Sequence, residues 1–226
     1  MKLPTRLAVF DVDGTIIDSQ HNIVASMLEA CEEHQVPPPT PAAIRQIIGL
    51  SLMEAIERLL PDLDPDRLRD VAESYKLGFQ RLRLRPDHYE PMFPGALAAF
   101  DQLAKEGWLL AVATGKSKRG LNAMIERHQL QGRFISLQTA DDNPGKPHPA
   151  MLQRAISDAG ALATETVMIG DTSFDMQMGV GAGAHPIGVG WGYHPTQELL
   201  GAGAERVVGS FPELVEHLAI LFDRVP

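Results

Sequence analysis

Leu7-Ala8-Val9-Phe10-Asp11-Val12-Asp13-Gly14-Thr15 decides the fold of this chain. Its first four residues are apolar and partly β-branched, the pattern of a buried strand. Asp11 and Asp13 follow where the strand passes into a loop, Gly14 breaks the strand, and Thr15 offers a hydroxyl. In open α/β sheets, ligands bind just beyond the carboxyl ends of the strands. Successive strand side chains point to opposite faces. Both carboxylates therefore reach one ligand only if the backbone turns near Asp13, which Gly14 permits. Taken alone, the stretch also reads as a solvated Asp-Gly turn. The rest of the chain decides between the two.

Size and charge narrow the field. With 226 residues, 44% of them hydrophobic, the chain can build one sizeable α/β core with a modest insertion. A net charge of −9 argues against a nucleic-acid partner, which asks for a basic face. It also means that an anionic ligand needs local positive charge or a metal. Cys31 is the only cysteine, which excludes an intrachain disulfide and a cysteine zinc site. Met1 to Arg6 run directly into the first strand without a signal-like apolar region, and no apolar run is long enough to span a bilayer. A cytoplasmic protein with no membrane partner is the expectation.

Along the chain, Ser19 is placed to cap a helix that begins near Gln20 and carries Ile23, Met27, Ala30 and Cys31 on one face. Thr40-Pro41 opens a second helix, Gly49-Leu50-Ser51 interrupts it, Ser51 caps a third, and a longer helix runs to about Arg85. Arg81, Arg83 and Arg85 read as its solvated end, with substrate contact as the alternative. Strands are expected at Trp108–Ala113, Phe134–Leu137, Thr166–Ile169, His185–Val189 and Arg206–Val208, each alternating with helices. Ser117 and either Asp171 or Ser173 are the expected caps of two of these helices. Alternating strands and helices mean a doubly wound, Rossmann-like parallel sheet. The all-helical stretch between two strand-bearing parts predicts an insertion: core residues 1–17 and 90–226, helical unit 18–89.

Further strand ends carry polar residues: Thr114, then Lys146 just before a helix, then Asp171 with Asp175. Separately, Thr114-Gly115 reads as a turn, Lys146 as a surface lysine, and Gly170 to Asp175 as a helix start with an acidic first turn. Together, a hydroxyl, an ammonium and several carboxylates at one crevice fit a phosphate and a hard cation. Carboxylate oxygens suit Mg²⁺, which keeps several waters and shares the phosphate. No G-x-x-x-x-G-K-[ST] is present, so a Walker site is excluded.

Asp11-Val12-Asp13-Gly14-Thr15 after an apolar strand, followed in order by Thr114, Lys146 and Asp171 with Asp175, resembles the haloacid dehalogenase-like hydrolases. The resemblance implies that Asp11 attacks phosphorus and that Asp13 alternates as acid and base. It implies that Thr114 and Lys146 complete the catalytic set. Mg²⁺ would be held by Asp11, the backbone carbonyl of Asp13, and Asp171, with Asp175 in support. Gly14, Thr15, Gly115 and Lys116 would face the phosphoryl group. Gly49, Ser51 and Asp18 are the substrate candidates of a small helical cap formed by the insertion.

The pattern is similar to phosphoglycolate phosphatases, with Asp18-Ser19 after the first motif and Lys146-Pro147-His148-Pro149 later. Their usual Thr-Asn-Lys is Thr114-Gly115-Lys116 here. The resemblance implies a phosphomonoesterase on a small phosphorylated metabolite, as monomer or homodimer. Pyrophosphate, nucleotides and sugar phosphates are alternative substrates, and a sugar phosphomutase is an alternative enzyme. A receiver-type signalling domain that accepts a phosphoryl group on aspartate is the alternative outside enzymes.

Overall fold

The run Leu7–Phe10 forms β1, fully buried, inside a six-stranded sheet. The structure is a computed structural model that describes residues 5–86 and 88–222. Four helices follow β1: α1 (Gln20–Glu33), α2 (Pro41–Gln46), α3 (Leu52–Leu59) and α4 (Pro65–Arg83). Then come α5 (Ala96–Lys105), β2 (Leu109–Thr114), α6 (Lys118–Arg127), β3 (Ser136–Thr139) and α7 (Ala150–Ala159). The chain continues through β4 (Thr166–Gly170), α8 (Ser173–Ala182), β5 (His185–Val189), α9 (Thr196–Gly201), β6 (Arg206–Val208) and α10 (Phe211–Leu221).

Every strand pairing is parallel, in the order β3-β2-β1-β4-β5-β6. This is the doubly wound, Rossmann-like α/β fold expected from the alternation. The order reverses at β1, which lies between β2 and β4. Phe10 pairs with Val112 on one side and Ile169 on the other, so Asp11 emerges between Thr114 and Asp171. The crevice that doubly wound sheets offer to ligands opens at this switch.

Alternation along β1 divides the core. Ala8 and Phe10 pack with α5, α6 and α10, where the Phe10 and Phe100 rings meet edge to face at 5.2 Å. Leu7 and Val9 face the opposite way, toward Met151 and Leu152 of α7 and Met178 of α8. Helices α1 to α4 share a third apolar cluster, including Met27, Ile44, Ile56 and Val71, separate from both sheet faces. Among the described residues, no helix is long and apolar enough to cross a membrane.

Several local expectations need correction. The third strand is Ser136–Thr139 rather than Phe134–Leu137. Its inward residues are polar: Ser136 Oγ and Gln138 Nε2 both donate to Asp158, at 2.8 and 2.9 Å. Hydrophobicity therefore could not mark it. Helix α9 carries no strong apolar stripe and was not expected; only its Leu199 is buried. Ser19 and Ser51 sit at N-cap positions but neither side chain caps its helix. Helix α8 is capped by Thr172, with Asp175 closing a capping box, rather than by Asp171 or Ser173. Helix α4 ends at Arg83, short of Arg85.

Candidate active site

The end of β1 supports a buried group of carboxylates around one amine. Asp11 is 1% exposed, and Lys146 Nζ lies 2.7 Å from its Oδ1. Its Oδ2 has no hydrogen-bond partner among the described residues. Lys146 also meets Asp175 Oδ1 at 2.6 Å. The other oxygen of Asp175 accepts from the Thr172 N–H at 3.0 Å and the Thr172 hydroxyl at 2.7 Å. One capping box therefore fixes both the start of α8 and the aspartate that holds Lys146. Asp171 accepts from the Thr15 hydroxyl at 2.9 Å and from the Tyr193 N–H at 2.9 Å. Gly14 has φ of 89°, and a side chain there would overlap the Asp171 carboxyl.

Oxygens of Asp11, Asp171 and Asp175 all lie within 4.8 Å of one another. This crowding is unfavourable without a compensating cation. Burial, with Asp175 adding repulsion, pushes Asp11 up to about 7, and the opposing pull of Lys146 does not cancel it. Burial, Asp11 and Asp175 hold Asp171 well above the usual carboxylate range. Lys146 is driven the other way: burial favours its neutral form, but Asp11 and Asp175 overcome that and raise its pKa. A hard divalent cation fits this donor set. Asp11 has a buried oxygen with no partner, and the ligands are all oxygen. Asp175 is the least available ligand: one oxygen takes the Lys146 ammonium and the other two Thr172 donors, whereas each Asp171 oxygen takes a single neutral donor.

Asp13 belongs to a second network. Ser19 donates to its Oδ1 at 2.5 Å, and Lys116 Nζ lies 2.6 Å from the same atom. Burial works to raise its pKa, but Lys116, Ser19 and Arg83 prevail and hold it below the usual range. Lys116 is buried and 3.7 Å from Glu90 Oε1, itself buried at 4% exposure. Thr114 Oγ1 accepts from the Lys116 N–H at 3.2 Å, tying the end of β2 to this network.

A cavity of about 370 Å³ opens beside Asp13, between the sheet end and helices α1, α3 and α4. Gly49, Ser51, Gly115 and Lys116, all candidate substrate-facing residues, line it. Gly115 is required there by contact: a side chain at that position would overlap the carbonyls of Gly49 and Leu50. The departure from Thr-Asn-Lys thus makes room for the helical segment's loop. Thr15 lies behind Asp171 instead of facing the cavity, and its hydroxyl orients that carboxylate. Asp18 does not line the cavity and accepts from Gln20 Nε2 at 3.2 Å.

Sequence reasoning missed Ser19 as a partner of Asp13, Glu90 behind Lys116, Tyr193 beside Asp171, and Thr172 as the cap. Arg83, read as part of a solvated helix end with substrate contact as the alternative, is half-buried and lines the cavity.

The haloacid dehalogenase-like hydrolase family model matches residues 8–189, and the chain belongs to that family. "Probable phosphatase IndB" of Dickeya dadantii is 35% identical, over 92% of this chain and 91% of its own. A phosphoglycolate phosphatase of Mesorhizobium japonicum is 30% identical, over 83% of each chain. Among solved structures, a hydrolase from Pseudomonas syringae superposes with a TM-score of 0.85 at 28% identity, covering 95% of this chain and 98% of its own.

Proposed function

We propose that this chain is a Mg²⁺-dependent phosphatase that hydrolyses a small phosphomonoester of the phosphoglycolate type through an aspartyl-phosphate on Asp11. The observation that carries this reading is the buried Asp11 oxygen without a partner, set among Asp171, Asp175 and Lys146. The same residues would hold the metal: Asp11 and Asp171 by side chains, the Asp13 carbonyl by backbone, with Asp175 in support through Lys146. When bound, the cation supplies charge neutralisation for the carboxylates and the phosphoryl oxygens.

Asp11 attacks phosphorus as the bond to the leaving oxygen breaks, and Asp13 gives that oxygen its proton. In the second half Asp13 removes a proton from the water that attacks the acyl phosphate, which regenerates Asp11. Lys116 and Ser19 favour the ionised form of Asp13, the form needed in this second half. An incoming phosphate dianion competes for Lys116, which lets Asp13 carry the proton needed in the first half. Lys146 balances negative charge at Asp11. Thr114 and the backbone N–H of Gly115 would bind the transferring oxygens, whereas the Gly14 N–H, expected to join them, already donates to the Ile17 carbonyl at 2.9 Å. The protein would work on a soluble metabolite in the cytoplasm, as a monomer or homodimer.

Purified protein should release phosphate steadily from simple esters with Mg²⁺ and stop when the metal is chelated. Turnover that survives chelation contradicts the metal assignment. A single stoichiometric phosphorylation without turnover would instead favour a receiver-type switch.

A further inference from the structure

The cavity beside Asp13 is larger and more apolar than a two-carbon acid requires. Its volume of about 370 Å³ falls in the range of small-molecule pockets. At the ~30 Å³ that a water occupies in the liquid, this is room for about twelve waters. Ile23 and Met27 of α1, Ile47 after α2, Leu52 and Met53 of α3, and Phe79 of α4 supply an apolar part of its wall. A glycolate or phosphate leaving group would leave much of this apolar surface without a partner.

Arg83 breaks this apolar wall. It is the last residue of α4, half-buried, and its guanidinium lies over the Phe79 ring at 4.5 Å from the centroid. It reaches across to α6, where Nη2 lies 3.0 Å from the point a side chain on Gly120 would occupy. It makes no ion pair with any described residue. Two other basic side chains of the cavity are paired, Lys116 with Asp13 at the end where the phosphoryl group would enter, and Lys76 with Glu73 at 2.6 Å. A planar, always-charged fork stacked on an aromatic ring is suited to a carboxylate, and partial burial strengthens that bond. Arg119, exposed at the rim, adds positive charge nearby.

We infer that the leaving group of the natural substrate is a bulky, mainly apolar body ending in an acidic group, and that Arg83 selects it. This inference rests on the phosphatase chemistry proposed above and replaces its phosphoglycolate-type substrate with a larger one. Apolar walls take the body, Arg83 takes the distal anion, and Asp13 meets the oxygen that departs from phosphorus. Pyrophosphate fits poorly, because its leaving group presents charge to aliphatic walls.

The test compares kcat/KM for four esters with Mg²⁺: para-carboxyphenyl phosphate, phenyl phosphate, phosphoglycolate and pyrophosphate. The carboxylated aryl ester should lead phosphoglycolate by about tenfold or more, the usual scale for filling an apolar pocket. In Arg83→Ala, the ratio of the carboxylated to the plain aryl ester should fall by about tenfold, through KM. Arg83→Lys, which keeps the charge but not the fork, should retain part of that ratio. The inference is overturned if phosphoglycolate or pyrophosphate leads, or if the ratio is unchanged in Arg83→Ala. Failure to hydrolyse any of the four has a different meaning, since it removes the phosphatase reading itself.

Discussion

Asp11 and Asp13 are two residues apart, yet they sit in different kinds of environment. Asp11 faces Lys146, Asp171 and Asp175, all delivered by strand ends and helix starts of the sheet core. Asp13 meets Ser19 at the start of α1 and Lys116 after β2, with Glu90 behind Lys116 and the charge of Arg83, at the end of α4, acting from farther off. The first group is closed, crowded with negative charge and in need of a cation. The second is balanced by its own cations and opens on a cavity. The division suggests that one side of this fold supplies the chemistry and the other decides which molecule receives it.

Asp11→Asn should strike the first side hardest, lowering turnover of para-nitrophenyl phosphate by about 10⁴-fold or more. Activity within a few-fold of wild type would remove the contrast between the two aspartates. Asp13→Asn should lower turnover by about 10²- to 10⁴-fold while the shift in melting temperature produced by Mg²⁺ survives. Loss of that shift would mean that Asp13 serves the metal side after all.

Lys146→Met tests the buried pairing. Removing one partner of a buried ion pair costs about 3–5 kcal/mol, measurable by urea unfolding in the presence of a chelator. Gly115→Asn tests where the two sides touch. Overpacking against the Gly49 and Leu50 carbonyls should cost about 1–3 kcal/mol, despite restoring the residue common in related phosphatases.

pH separates the sides more gently. Asp11, raised from 3.8 to about 7, holds a proton in the folded protein that the unfolded chain has released. Metal-free stability should therefore fall as pH rises from about 4 to about 7, and Mg²⁺ should flatten that slope. Asp13 runs opposite: its depressed pKa gives stability present above its ordinary value of 3.8 and lost as pH falls through the folded one. Melting curves across pH, with and without Mg²⁺, measure both. Stability that rises with pH between 4 and 7 without metal would contradict the crowded-carboxylate picture.

The same division governs what could be read from residues alone. Asp11, Thr114, Asp171 and Asp175 were legible because each stands at the end of an apolar run or the start of a helix, and Lys146 because it lies in the turn that leads into α7. The alternating order then brings such ends to one edge. Ser19 was legible only as a cap; its hydroxyl turns to Asp13 because the chain doubles back after Gly14. Glu90 and Arg83 carried no local signal, since their meaning depends on where α4 ends above the sheet. Strand β3 was misplaced for a related reason: Ile135, half exposed, belongs to the apparent apolar run, while Ser136 and Gln138 turn inward to Asp158.

The central claim is that phosphorus passes through Asp11. Asp13→Asn mixed with para-nitrophenyl phosphate and Mg²⁺ provides the most direct measurement, because a good leaving group needs no acid while breakdown of the intermediate needs the base. Peptide mass analysis after rapid quench should find one phosphoryl group on Asp11. A burst of nitrophenol with the phosphoryl group on another residue, or full turnover with no phosphorylated protein at any time, would contradict the account.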